Sequence, residues 1–196
     1  MAREWDLPPV ARKTPASGGK QLRSRSTIRV TLTAVFAALY AVGVVFLAPI
    51  SFQAFQVRIA DALLPLSILL GWPVVLGVTI GAFVANFFGG LGPVDMIGGA
   101  VANFVATLAA WMIARRRNRI TALAGVAAEI IIVTLVVGTY LSYLLALPIG
   151  VGLLGVFLGS VIAIGLLGSI LLFALSNSHV TSHLHSEILD QTENKT

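Results

Sequence analysis

The sequence contains no cysteine and hardly any charge. Without cysteine there are no disulfides and no thiol-based metal or redox chemistry. Only 11% of the 196 residues are Asp, Glu, Lys or Arg, against about 25% in a soluble domain. Residues 30–57, 62–94, 96–114 and 130–178 carry no charge at all. Histidine is missing from the same stretches: His179, His183 and His185 all lie near the C-terminus. A histidine-based metal site or a Ser/His nucleophile therefore cannot form within the apolar runs. No paired acidic motif of an intramembrane hydrolase is present, so neither an enzyme, a metal nor a cofactor is expected. The stretch "GGKQ" at 18–21 falls short of a phosphate loop. Thr14 stands where its first Gly belongs, and Gln21 where Ser or Thr belongs.

Apolar length fills the space that charge leaves. The chain is 57% hydrophobic, with a mean hydropathy of +0.94. Uncharged apolar runs of about 20 residues or more read as transmembrane helices, so a multi-pass protein of the lipid bilayer is expected. The net charge of +5 does not point to nucleic acid, because the basic residues sit beside apolar runs with no aromatic interleaving. Residues 1–27 are basic and rich in Pro, Gly and Ser, and read as a disordered cytoplasmic tail. They are too long for the n-region of a signal peptide. Residues 28–176 form the membrane domain, and 177–196 a second polar cytoplasmic tail.

Six spans are expected: Ile28–Leu47, Phe55–Leu70, Val74–Phe88, Asp95–Ala114, Ile120–Leu147 and Val151–Leu175. As one helix, 62–94 would run roughly 50 Å at 1.5 Å per residue, against a hydrocarbon core of roughly 30 Å. "GWP" at 71–73 and "GGLGP" at 89–93 supply the breaks. With both termini cytoplasmic, 12 of the 13 Lys and Arg residues fall inside, leaving Arg58 outside, as the positive-inside rule requires. The second span is the weak one. Either it begins ahead of Asp61, or part of it is irregular backbone buried in protein.

Small residues recur at four-residue spacing, which lets helices approach closely in lipid. Gly77, Gly81, Ala85 and Gly89 in the third span, and Gly155, Gly159 and Ala163 in the sixth, read as internal packing faces. In the first span the pairs are Ala34/Ala38 and Ala37/Ala41. A smooth face on an outermost helix is also suited to docking another protein.

Four ionisable residues lie within the apolar region: Arg58, Asp61, Asp95 and Glu129. Such residues are functional candidates by default. Arg58 and Asp61, at i and i+3, are placed to neutralise each other or to wall a site. Asp95 opens the fourth span, as a helix N-cap or as a site residue. Glu129 has no local partner, and a carboxylate at depth costs about 2.5–3.5 kcal/mol. Tyr140 lies near its helical face, with Tyr143 close by. Asn86 ends the third span, Asn103 and Thr107 share a face of the fourth, and Gln53 and Gln56 flank the first loop. Carboxylates, amides and aromatics together suit a flat, hydrogen-bonding ligand.

Residues 55–111 resemble the core of the QueT family, substrate-binding S-components of energy-coupling factor (ECF) transporters. The likeness rests on Arg58, Asp61, Ala62 and Leu63 ahead of a Leu/Pro run. Gly77, Gly81, Ala85 and Asn86 follow, then Asp95 and Gly99 after a Gly-rich turn. The family more often has Glu at the position of Asp61. The resemblance implies an all-α, six-helix S-component-like bundle in the cytoplasmic membrane of a prokaryote. It implies a queuosine precursor as ligand, a 7-deazaguanine such as 7-aminomethyl-7-deazaguanine. It also implies partners, a transmembrane coupling subunit and two ATPase subunits, docked on Ala34, Ala38 and Ala41. The candidate ligand-binding residues are Arg58, Asp61, Asn86, Asp95, Asn103, Glu129 and Tyr140. Other readings are an S-component for thiamine or folate, a proton-coupled secondary transporter using Glu129, and a membrane scaffold.

Overall fold

The computed structural model describes residues 18–47, 58–116 and 118–176, with backbone alone for 18–25. These residues form six helical elements, and none of them is in a strand. Helix α1 runs Gly18–Phe46 and the short α2 runs Ile59–Leu70. Then come α3, Trp72–Gly89, and α4, Pro93–Ile113, with a 3₁₀ turn at Ala114–Arg116. Helix α5 is Arg119–Leu144 and α6 spans Ile149–Ser176. Five of the six, α2 excepted, are long and apolar enough to cross a membrane.

Local chemistry places the breaks near where the sequence suggests them. Helix α2 stops before Gly71, whose φ of 64° is open to glycine at little cost. Helix α3 stops before Gly90, also left-handed, and α4 restarts with Pro at its first position. Asn118 and Thr121 form a reciprocal capping box that starts α5. Helix α1 begins earlier than the expected Ile28, so ten residues assigned to the basic tail (18–27) are helical. Helix α5 ends three residues before the expected Leu147.

Consecutive long helices pack as neighbours, α3 on α4, α4 on α5 and α5 on α6, while α1 lies along α3. The small-residue face of α3 makes that last pairing possible. A Cβ at Gly77 would stand 2.6 Å from Phe36 Cβ, and one at Gly81 would stand 2.7 Å from the Ala37 carbonyl oxygen. Gly155, Gly159 and Ala163 of α6 are likewise buried.

The second element departs most from a regular span. It is a 3₁₀ helix of 8 residues followed by 4 α-helical residues. At about 1.5–2.0 Å per residue it covers roughly 20 Å, short of a roughly 30 Å hydrocarbon core. It touches all five long helices, and Asp61, Leu64, Pro65, Leu66 and Ser67 are buried. Irregular backbone is stable at such a place because protein, not lipid, surrounds it. The facing segment of α6, Val161–Gly168, is a π-helix, where the sequence suggested one regular helix. Gly168 meets Pro65 there.

One end of the bundle gathers aromatic and basic groups. Trp72 of α3 stacks at a tilt on Trp111 of α4, 5.8 Å between ring centres, and Arg115 lies over the Trp111 ring. Arg115, Arg116 and Arg119 cluster here between α4 and α5. Tryptophan and arginine side by side suit a membrane–water boundary.

Candidate functional site

Buried polar side chains collect toward the opposite end, where α3 finishes, α4 begins and α5 finishes. Arg58 precedes α2 and is 5% exposed. Its guanidinium faces Asp95 of α4 at 3.8 Å, so the ion pair crosses between elements as well as offering the local neighbour Asp61. Asp61 accepts a hydrogen bond from the Tyr40 hydroxyl of α1 at 2.5 Å. The Asn103 amide also lies beside that hydroxyl, and its Nδ2 reaches toward the Val78 carbonyl at 3.5 Å.

Asp95 does not act as a helix cap. Gly92 holds the N-cap position, and no side chain caps the helix. The Asp95 carboxylate turns inward instead, accepting from Tyr140 of α5 at 2.9 Å as well as facing Arg58. Asn86 of α3 donates through Nδ2 to the Asp95 backbone carbonyl at 2.8 Å. A carbonyl can only accept, so this bond directs the Asn86 Oδ1 acceptor away. Gly98 and Gly99 give this corner its room. A Cβ at Gly98 would stand 2.9 Å from the Tyr140 ring, and one at Gly99 would meet the Asn86 amide.

Glu129 lies deeper. It is fully buried on α5, eleven residues or roughly 16 Å along the helix from Tyr140. Ser67 of α2 approaches its Oε1 at 3.4 Å, and Asp61 is its charged neighbour. The polar groups thus form an outer level, Arg58, Asp95, Tyr140 and Asn86, and an inner level, Tyr40, Asp61, Ser67 and Glu129.

The arrangement is rich in unmet acceptors. Asn86 Oδ1, Asp95 Oδ2 and Glu129 Oε2 are buried with no hydrogen-bond partner among the described residues. Such groups are costly unless something donates to them. No group of three or more acidic or histidine side chains among the described residues is placed to hold a metal ion. These three acceptors can take hydrogen bonds from N–H donors.

All seven candidate binding residues are buried or half-buried in this region. Tyr143 is not, since its side chain is 85% exposed. Gln53 and Gln56 lie outside the described residues. Tyr40 and Ser67 are additions. The signal for Tyr40 was a tyrosine between Ala37 and Ala41, an aromatic body with a polar tip on an otherwise small-residue face. On α1, Ala34 and Ala38 are exposed, whereas Ala41 is half-buried and packs against the core with the inward face. Ala34 also borders a groove of about 600 Å³, with Val30 and Ala37 of α1 on one side and Trp72, Leu76 and Ile80 of α3 on the other.

A family model described as the QueT transporter matches residues 30–177. No curated protein and no solved structure matches the chain.

Proposed function

The chain belongs to the QueT transporter family, and we propose that it is the substrate-binding S-component of an ECF-type importer. It captures a queuosine precursor, a 7-deazaguanine such as 7-aminomethyl-7-deazaguanine. A transmembrane coupling subunit and two ATPase subunits then drive uptake. The membrane is the cytoplasmic membrane of a prokaryote. In this reading the basic end of the bundle and both tails, 1–27 and 177–196, face the cytoplasm. The polar cluster then opens toward the outside, where the ligand arrives.

The observation that carries the reading is the set of three buried acceptors without partners, Asn86 Oδ1, Asp95 Oδ2 and Glu129 Oε2. A deazaguanine presents N–H donors along its pyrimidine edge and pyrrole ring, and its aminomethyl form adds an ammonium. Its one ring carbonyl suits the Arg58 guanidinium. Tyr40 and Tyr140, bonded to Asp61 and Asp95, add aromatic rings on which a flat ligand could stack. Ala34 and Ala38, small and exposed on α1, suit the docking of the coupling subunit, with Ala41 turned partly inward.

One observation favours a second reading. Glu129 is fully buried without a cationic partner among the described residues, as in a carboxylate that carries protons for a secondary transporter. Uptake into proteoliposomes separates the two. Transport that needs the coupling subunit, both ATPase subunits and ATP supports the S-component. Transport by this chain alone, driven by a proton gradient, supports the second reading.

A further inference from the structure

Three carboxylates lie within the bundle, Asp61, Asp95 and Glu129, and all are buried. The sequence supplies one cation to meet them. Arg58 is the only Lys or Arg between Arg29 and Arg115, and none occurs between Arg119 and Lys195. The segment 48–57 contains no charged residue, so it does not alter this balance. With all three carboxylates ionised, the interior carries more negative than positive charge.

The three are not equally provided for. Asp95 has Arg58 at 3.8 Å and the Tyr140 hydroxyl at 2.9 Å. Asp61 has the Tyr40 hydroxyl and shares the surroundings of Arg58. Among the described residues, Glu129 has only the 3.4 Å approach of Ser67, beyond the usual range of an O–H···O bond. Its charged neighbour, Asp61, has the same sign. Protonation meets the position only in part. The O–H of a neutral carboxyl on Oε1 can turn to the Ser67 hydroxyl, but Oε2 still has no partner among the described residues. A donor that also brings positive charge satisfies Glu129 in one step.

We propose that Glu129 receives the cationic end of the ligand and sets a preference for a protonated primary amine over an uncharged substituent on the same ring. Asp61 and Asp95 then serve the ring edge and hold Arg58. Asp61 links the two tasks, because it neighbours both Arg58 and Glu129. This assignment rests on the deazaguanine reading and sharpens it.

The experiment is calorimetry on the purified full-length chain with 7-aminomethyl-7-deazaguanine and its uncharged 7-cyano counterpart. Glu129→Gln should weaken the amine by about tenfold or more, while the nitrile changes by less than about threefold, because only the amine loses a charged partner. Retained nitrile binding also reports that the variant is folded. Asp61→Asn should weaken both ligands alike. Equal losses for both ligands in a Glu129→Gln variant that still binds them measurably, or an unchanged amine affinity, overturn the assignment while leaving the deazaguanine reading standing. Should Glu129→Gln bind neither ligand, Glu129→Asp decides: it keeps the charge and should keep the amine preference, and loss of that preference overturns the assignment. A wild-type chain that binds neither ligand overturns the deazaguanine reading itself, and this inference with it.

Discussion

Tyr40 of α1 and Asp61 of α2, 21 positions apart in sequence, meet in a 2.5 Å hydrogen bond inside the bundle. The same helix that carries Tyr40 inward presents Ala34 and Ala38 outward. One rigid element therefore touches both the candidate site and the candidate docking surface. Tyr40→Phe keeps the ring and removes the donor. Leaving a buried acceptor unmet costs about 1–3 kcal/mol, so the thermal midpoint of the purified chain should fall. An unchanged midpoint would mean that the bond adds nothing net to the fold.

Ala38→Trp places a large side chain on the outward face of α1, away from Asp61. Assembly with the coupling subunit and ATP-driven uptake should be lost, while ligand binding by the solitary chain persists. Co-purification and calorimetry on the same variant check both halves. Intact assembly would exclude this face as the docking surface.

Glycine at 81 is demanded by the approach of α1, and glycine at 150 is not. A Cβ at Gly81 meets the Ala37 carbonyl at 2.7 Å, whereas nothing lies within 4 Å of one at Gly150. Gly81→Ala should therefore cost about 1–3 kcal/mol through overpacking, seen as a lower thermal midpoint. Gly150→Ala should leave the midpoint near wild type. Equal midpoints for the two variants would mean that α1 and α3 pack less closely.

Much of the bundle was legible because breaks are local chemistry. "GWP" and "GGLGP" interrupt helices by their own φ preferences, and Gly77 and Gly81 announce a close partner by spacing alone. Arg58, Asp61, Asp95 and Glu129 stood out because charge is so scarce around them. What could not be read was which element each would meet. The i, i+3 spacing of Arg58 and Asp61 suggested a local pair, yet Arg58 also reaches Asp95 and Asp61 accepts from Tyr40. The 3₁₀ form of α2 and the π segment of α6 were hidden for the same reason. Their apolar composition is that of any buried helix, and only contact with one another, Gly168 on Pro65, distinguishes them. Ala41 shares the spacing of Ala37, and only the position of α3 and the core shows that both turn inward.

In the proposed orientation, which rests on the placement of Lys and Arg, the polar cluster faces outward. Cysteine substitutions at Lys20, Asn118 and Lys195 should resist an impermeant thiol reagent added to intact cells, and should react after permeabilisation. Labelling of Asn118→Cys from outside would invert the bundle and turn the polar cluster toward the cytoplasm.

The central claim is that this chain alone, without ATP, holds a 7-deazaguanine at the polar cluster around Arg58 and Asp95. Calorimetric titration of the purified chain with 7-aminomethyl-7-deazaguanine, run beside Asp95→Asn, tests it most directly. One saturable site is expected, weakened about tenfold or more in Asp95→Asn, where the Arg58 partner loses its charge. Absence of binding to the wild-type chain, or binding of thiamine or folate in place of the deazaguanine, would contradict it.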